Sequence, residues 1–470
     1  MSILNLEQKL VFKYFSEISQ IPRPSGHEEK ISAYLENFGK ERNFETYVDQ
    51  TKNVLIRKPA SKGYENSPGI IIQGHMDMVP EKSDDSNHDF LKDPISLIVE
   101  DDKIYANNTT LGADDGIGLA FALALLDDEE AQHGPLECLF TISEETTMEG
   151  AMNLSSNLLR GNLLLNIDSE EEGIMTVGSA GGENYLAKFN FSEVEIPKDY
   201  KVYELTFQGL LGGHSGMEIS KNHGNIIKIM ADLIDGLDDS MIANFNSGTK
   251  QNAIPRSGSL TLATKSNINS RVEKILEKFE NLDGNLEILV KDSKAKSAMG
   301  TIDSNIFARY LLDLHNGVYS YTDSSQKDVE SSANLAIVKK DGFSYDILVS
   351  IRSASEEKLR QLEEKYKLTS QAYKVSYEFS EGYPTWEYKK DSLLRDRAMT
   401  VYKKMFGHEM VTEITHGGLE CGVFSEKYPN MDMISIGPDI RGAHTPKESL
   451  SISSTKRMYE YVKELLKELK

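Results

Sequence analysis

Residues 70–79 read Ile-Ile-Ile-Gln-Gly-His-Met-Asp-Met-Val, and this stretch decides the fold class. Ile70 to Ile72 read as a buried strand, because three β-branched residues in a row suit a sheet and leave no polar face. Leu136 to Ile142 and Leu163 to Ile167 read the same way. Between the first two, Gly116 to Leu126 (GIGLAFALALL) reads as a buried helix. Short strands alternating with helical patterns indicate an α/β layer fold. The polar residues fall at one place in this pattern. His75 and Asp77 follow the first strand, Glu144 and Glu145 the second, and Asp168 the third. Open α/β sheets gather ligands outside the carboxyl ends of their strands. Asp114 and Asp115, just ahead of the buried helix, add a fourth contribution.

Farther out the pattern changes at Gly181-Gly182, where a more polar mixture of strands and helices begins and runs to about Pro384. Helices are predicted there at Val272 to Leu282 and Glu356 to Tyr366. Then Ser392 opens a helix, Met433 to Ile436 reads as a strand, and Lys456 to Lys470 as a closing amphipathic helix. The expected architecture is an α/β catalytic domain with a mixed sheet flanked by helices, made of residues 1–182 and 390–470. An α+β domain over residues 183–389 is inserted into it.

Composition narrows the class. A length of 470 residues predicts roughly two to four domains. With 39% hydrophobic and 27% charged residues and only 13 prolines, a wholly disordered chain is excluded. Asp and Glu outnumber Lys and Arg by 74 to 52, a net charge of −22. Such a surface repels phosphate backbones and anionic lipid, so neither nucleic acid nor membrane is an expected partner. Cys138 and Cys421 form no CxxC pattern, which excludes a disulfide framework and a thiolate zinc site and fits a reducing compartment. The opening MSILNLEQKLVFKYF carries Glu7 and Lys9 at helical spacing and reads as an amphipathic helix rather than a signal peptide. No apolar run approaches bilayer length. The expected location is the cytoplasm.

Taken singly, each acidic or imidazole residue has an ordinary explanation as a turn, a cap or a solvated group. Taken together they repel one another, and a cation is what makes such a cluster tolerable. Histidine and carboxylate without sulfur suit Zn²⁺ first, with Mn²⁺ or Co²⁺ as alternatives, and disfavour Ca²⁺ and Mg²⁺. The carboxylates are too many for one tetrahedral ion, so two divalent ions are expected. Adjacent Glu144 and Glu145 cannot both point the same way, which lets one ligate and the other carry a proton. Asp77 shares a side with His75 and is placed to orient its imidazole.

The motifs GHMDMVP, NTTLGADDGIG, TISEETTMEGA, NIDSEEEG, GGHSG and HGGLECG, in this order along nearly the whole chain, resemble the di-zinc metallopeptidases that include carnosinases, carboxypeptidase G and succinyl-diaminopimelate desuccinylase. The resemblance implies that His75 and Asp168 bind one zinc, that Glu145 and His444 of GAHTP bind the other, and that Asp114 bridges them. It implies a cis peptide bond after Asp114, Glu144 as general base and Asp77 as the residue that orients His75. The inserted domain would be a lid. Its His214 would stabilise the tetrahedral oxyanion, Asn252 of QNAIP would hold the scissile carbonyl, and Arg352 of SIRSA the substrate's free carboxylate. Glu420 is assigned to the substrate's amino group. Many relatives carry a lysine where this chain has Gly116, and the dipeptidase branch shares that glycine.

The expected activity is therefore hydrolysis of small peptides, namely dipeptides with a free amino terminus and either Xaa-His or broad specificity. The alternatives are an amidohydrolase that deacylates N-acyl amino acids with the same metals, and an inactive relative kept as a binding protein. A homodimer is left open, as is whether His214 serves its own active site or a neighbour's. Other catalytic patterns fail. Met217 stands where a nucleophile elbow needs its closing glycine. Neither His27-Glu28 nor His408-Glu409 completes HExxH, and no GxxxxGK loop exists. His88, His133, His223, His315 and His408 read as solvated or packing residues, and His416 as a candidate pocket residue.

Overall fold

The computed structural model describes residues 3–282, 284–322, 328–380 and 382–470. Two compact units emerge. The first comprises Met1–Ser179, Trp386–Thr415 and Leu419–Lys470, and the second Ala180–Thr385 and His416–Gly418.

Among the described residues, the first unit is built on an eight-stranded mixed sheet. Its order is Glu45–Val48, Val54–Lys58, Leu136–Thr141, Ile70–His75, Leu163–Asn166, Asp432–Ser435, Ile174–Ser179 and Val411–Thr415. The centre is parallel, with Ile72 opposite Cys138 on one side and Leu165 on the other, and Met433 opposite Leu164. Every residue of Ile70–His75 is buried, as a strand flanked on both edges and covered on both faces requires. The strand runs through His75, so that imidazole stands at its last position rather than beyond it. Ala113–Asp127 is apolar on all sides and buried along nearly its whole length, packing against the Lys9–Ser19 helix and the central strand. Asp114 and Asp115 have non-helical dihedrals, and the regular helix begins after them. Asp115 accepts the Gly118 N–H and acts as the cap, which leaves Asp114 for other use.

The second unit is a nine-stranded antiparallel sheet among the described residues, with the long hairpin Val329–Asp341 and Ser344–Ser353 near its middle. Helices Ile226–Asp235, Thr301–Asp313 and Glu356–Tyr373 enclose an apolar core around Phe245, Phe307, Tyr310 and Tyr345. Two helix starts differ from expectation, and the helix expected at Glu356 to Tyr366 runs on to Tyr373. The helix expected at Val272 to Leu282 spans Ile268–Lys278, started by Asn267, whose side chain accepts the Ser270 N–H. The closing helix begins at Ile452, capped by Ser451, not at Lys456. Both shifts have one cause, a polar cap ahead of the first apolar residue.

Candidate metal centre

Five segments of the first unit bring polar residues to one edge of the mixed sheet. His75 Nε2 lies 3.0 Å from Asp114 Oδ1 and 3.6 Å from Asp168 Oδ1. Asp114 turns its other oxygen, Oδ2, to His444 Nε2 at 3.1 Å, and His444 Nε2 is 2.9 Å from Glu145 Oε1. Two donor trios result, His75–Asp114–Asp168 and Asp114–Glu145–His444, joined by the two oxygens of Asp114. Donors around a tetrahedral zinc at about 2.0–2.2 Å stand roughly 3.3–3.6 Å apart. The observed spacings of 2.9–3.6 Å run from hydrogen-bond contact to that range, close enough for each trio to hold an ion after small shifts, and the donor set is one that zinc, manganese or cobalt accepts. The peptide bond between Asp114 and Asp115 is cis.

The backbone reaches these positions by conformations that side chains rarely adopt. His444 has φ 60° and Ser143, directly before the two glutamates, φ 55°. Left-handed backbone costs a non-glycine residue roughly 1–2 kcal/mol, so both sites trade local stability for the aim of the groups that follow. Asp77 organises three of those groups at once. Its Oδ1 is 3.4 Å from His75 Nδ1 and accepts the Glu144 N–H at 3.0 Å, while Oδ2 accepts the Glu145 N–H and the Ser25 hydroxyl. His75 is thereby held from Nδ1, with Nε2 presented to the carboxylates. Ser25 carried no signal in the sequence that tied it to this place.

The electrostatics are those of crowded anions. Burial works against ionised His75, yet Asp168, Asp114 and Asp77 hold its pKa well above the usual imidazole range. Hydrogen bonds to Asp114 and Glu145 push His444 up to about 11. Burial, with the charge of neighbouring carboxylates, raises Asp168 to about 6 and drives Glu144 well above the usual carboxylate range. Asp114 is held well below it by the two imidazoles, against the effect of burial. Imidazolium protons thus do for this cluster what divalent cations would do better.

Glu420, expected at the substrate's amino group, lies inside the first unit. It is fully buried, and its Oε2 accepts hydrogen bonds from Gln73 Nε2 at 2.6 Å and Thr141 Oγ1 at 2.7 Å. Gln73 Oε1 in turn accepts from Asn166 Nδ2. The carboxyl links the Ile70–His75 and Leu136–Thr141 strands from inside, with Leu163–Asn166 joined through Gln73, and burial raises its pKa to about 8. Its other oxygen, Oε1, is buried without a hydrogen-bond partner among the described residues.

The remaining candidates lie together in the second unit. The Gly213–His214 strand pairs with Ala253–Ile254, and the Ser215 N–H bonds to the Asn252 carbonyl at 2.8 Å. His214 Nδ1 accepts the N–H groups of Gly216 and Met217, which leaves the ring proton on Nε2. A Cβ at Gly216 would stand 3.0 Å from His214 Cε1 and 3.4 Å from Arg352 Cζ, so this glycine lets the imidazole and the guanidinium approach each other. Arg352 donates to the Tyr383 hydroxyl at 2.9 Å and to the His416 carbonyl, while its Nε is buried without a hydrogen-bond partner among the described residues. His416 Nε2 meets the Ser332 hydroxyl at 2.7 Å, and burial, aided by Arg352, lowers its pKa to about 4.

Comparison with known proteins adds the lineage. A family profile described as Peptidase family M20/M25/M40 matches residues 71–468. The cytosol non-specific dipeptidase of Escherichia coli (strain K12) is 37% identical over 477 residues, covering 99% of this chain and 98% of that one. The crystal structure of aminoacylhistidine dipeptidase from Vibrio alginolyticus superposes with a TM-score of 0.87 at 34% identity, covering 99% of this chain and 98% of that one. Aminopeptidase PepT from Bacillus cereus shares the fold, with a TM-score of 0.58 at 16% identity over 99% of both chains.

Proposed function

The chain belongs to peptidase family M20/M25/M40, and we propose that it is a metal-dependent dipeptidase acting on dipeptides with a free amino terminus, of Xaa-His or broader specificity. The observation that supports this reading best is the pair of donor trios sharing Asp114. His75 and Asp168 would hold one divalent ion, Glu145 and His444 the other, with Asp114 shared between the two sets; zinc is the first choice and manganese or cobalt the alternatives. When bound, the two ions lower the pKa of the attacking water and polarise the scissile carbonyl.

The protein's own groups do the rest. Glu144, beside the donors but outside both trios, takes the proton of the attacking water and returns it to the departing amine. A carboxyl whose pKa is raised by burial and by neighbouring anions suits both halves of that transfer. Asp77 keeps His75 and the two glutamates in register. Residues 183–389 act as the lid domain. There His214 donates from Nε2 to the oxyanion, Asn252 holds the scissile carbonyl, and Arg352 forms a two-pronged clamp for the substrate carboxylate. The enzyme works in the cytoplasm, a reading that its two buried free cysteines and its cytosolic relative support.

The test is hydrolysis by metal-stripped protein refilled with Zn²⁺, Mn²⁺ or Co²⁺, with free dipeptides and N-acyl amino acids as competing substrates. Restored cleavage of free dipeptides, lost when the amine is acylated, is the expected result. Preference for the acylated substrates would replace this reading with the amidohydrolase, and no turnover with any ion would end it.

A further inference from the structure

Two buried charged residues outside the donor set grip the loop that carries Asp114. Glu448 is 2% exposed and receives four successive backbone N–H groups. Leu111 and Gly112 donate to Oε2 at 2.7 and 2.9 Å, and Ala113 and Asp114 to Oε1 at 2.7 and 3.3 Å. Burial pushes this carboxyl's pKa up, but two accepted bonds on each oxygen are the pattern of the ionised form. Arg23, also 2% exposed, donates from Nη1 to the carbonyls of Met76 and Asp77, each at 2.9 Å, and from Nη2 to the carbonyl of Gly112 at 2.5 Å. One guanidinium therefore ties the segment that follows His75 to the loop that presents Asp114.

We propose that Arg23 and Glu448 are positioning residues that set the bridging Asp114 carboxylate and the His75–Asp77 segment for metal binding, an inference that rests on the metal-dependent reading above. Glu448 holds the loop by its N–H groups and Arg23 by a carbonyl, so the segment is fixed by both of its polar edges. The local sequence leaves room for this. Gly112 has φ +69°, and a Cβ there would come 2.7 Å from Arg23 Nη2; one at Gly116 would come 2.5 Å from the same nitrogen. Gly116 is thus required by the guanidinium that fills the space beside it. Arg23 also faces Asp77, Glu448, Asp115 and Asp114, which counter the lowering of its pKa by burial. A fixed cation there offsets part of the negative charge that the donor set concentrates. Stability alone is a poor reason to retain such groups, because buried charges can often be replaced by apolar residues of similar size without loss.

Removal of a group that orients metal ligands typically weakens metal binding 10- to 100-fold. The experiment is calorimetric titration of metal-stripped protein with Mn²⁺ for the wild type, Arg23→Lys, Glu448→Gln and a control, Arg57→Lys. Arg57 is a comparably enclosed arginine, its side chain 11% exposed, bonded to Glu137 and to the Leu158 carbonyl away from the donors. Arg23→Lys keeps charge and loses the fork; Glu448→Gln keeps size and loses half the acceptor. Each should weaken at least one of the two ions tenfold or more, whereas Arg57→Lys keeps wild-type affinity even if its melting temperature falls. Wild-type affinity in both test variants, or an equal loss in Arg57→Lys, overturns the proposal. Should Arg23→Lys not fold, Glu448→Gln decides alone. A wild type that takes up no pair of ions overturns the dipeptidase reading, and this inference with it.

Discussion

Glu144 and Glu145 are neighbours in the chain with opposite surroundings. Glu145 Oε1 faces His444 at 2.9 Å, whereas Glu144 is buried and crowded by the charges of Asp168, Glu145 and Glu420, with His75 in opposition. Glu144→Gln removes the proton carrier and leaves both trios intact, so kcat should fall by about 10²–10⁴ while metal content stays at the wild-type level. Loss of bound metal in that variant would instead make Glu144 a ligand. The imidazoles give a second prediction. In metal-free protein His444, raised to about 11, and His75, also raised, carry protons at neutral pH. Metal requires neutral imidazole, so uptake must release those protons and affinity must fall as pH falls. Calorimetry in buffers of different ionisation enthalpy reads the number released; a heat that does not depend on the buffer would show the rings already neutral.

At the scale of elements, the legible features were those written in a single local pattern. The buried strands at Ile70, Leu136 and Leu163 and the helix after Asp115 follow from largely apolar runs; the strands lead into His75, Glu144–Glu145 and Asp168, and Asp114 stands just ahead of the helix. Helix starts at Ile268 and Ile452 were misread because Asn267 and Ser451 announce a helix before its first apolar turn. The sequence assigned Glu420 to the substrate's amino group without showing its surroundings, and the converging side chains of Gln73 and Thr141 show that it is enclosed. Arg23 and Glu448 left no trace, since their partners are backbone groups far away in sequence. One strand–helix contact supports a pH prediction. Burial, together with Glu363 of the Glu356–Tyr373 helix, raises Glu183 of the Gly181–Asn190 strand from 4.5 to about 7. Between those values the native state holds a proton that the unfolded chain has lost, so this contact loses stability as pH rises through the window. Glu183→Gln should therefore melt higher than wild type at pH 8, with the gain vanishing towards pH 4.5. An equal gain at both pH values would assign the effect to packing instead of charge.

For the whole molecule the decisive fact is that its donor set draws on both ends of the chain. His75, Asp114, Glu145 and Asp168 precede the second unit in sequence and His444 follows it, yet all five belong to the first unit. A chain of net charge −22 that also gathers carboxylates inside one unit works against its own compaction, and ions bound only by the folded form reverse part of that cost. Binding to the native state alone stabilises it by about 2.7 kcal/mol when free metal is 100 times its Kd. For a unit of this size that corresponds to a rise of roughly 5 °C in melting temperature. Mn²⁺ added to chelator-treated protein should produce such a rise in the wild type and equally in Glu144→Gln, which keeps every donor. In Asp114→Asn, where both trios lose their shared carboxylate, the rise should shrink to a degree or less. A full rise in Asp114→Asn would mean that the stabilising ions bind elsewhere, and the centre would then have to be sought outside the two trios.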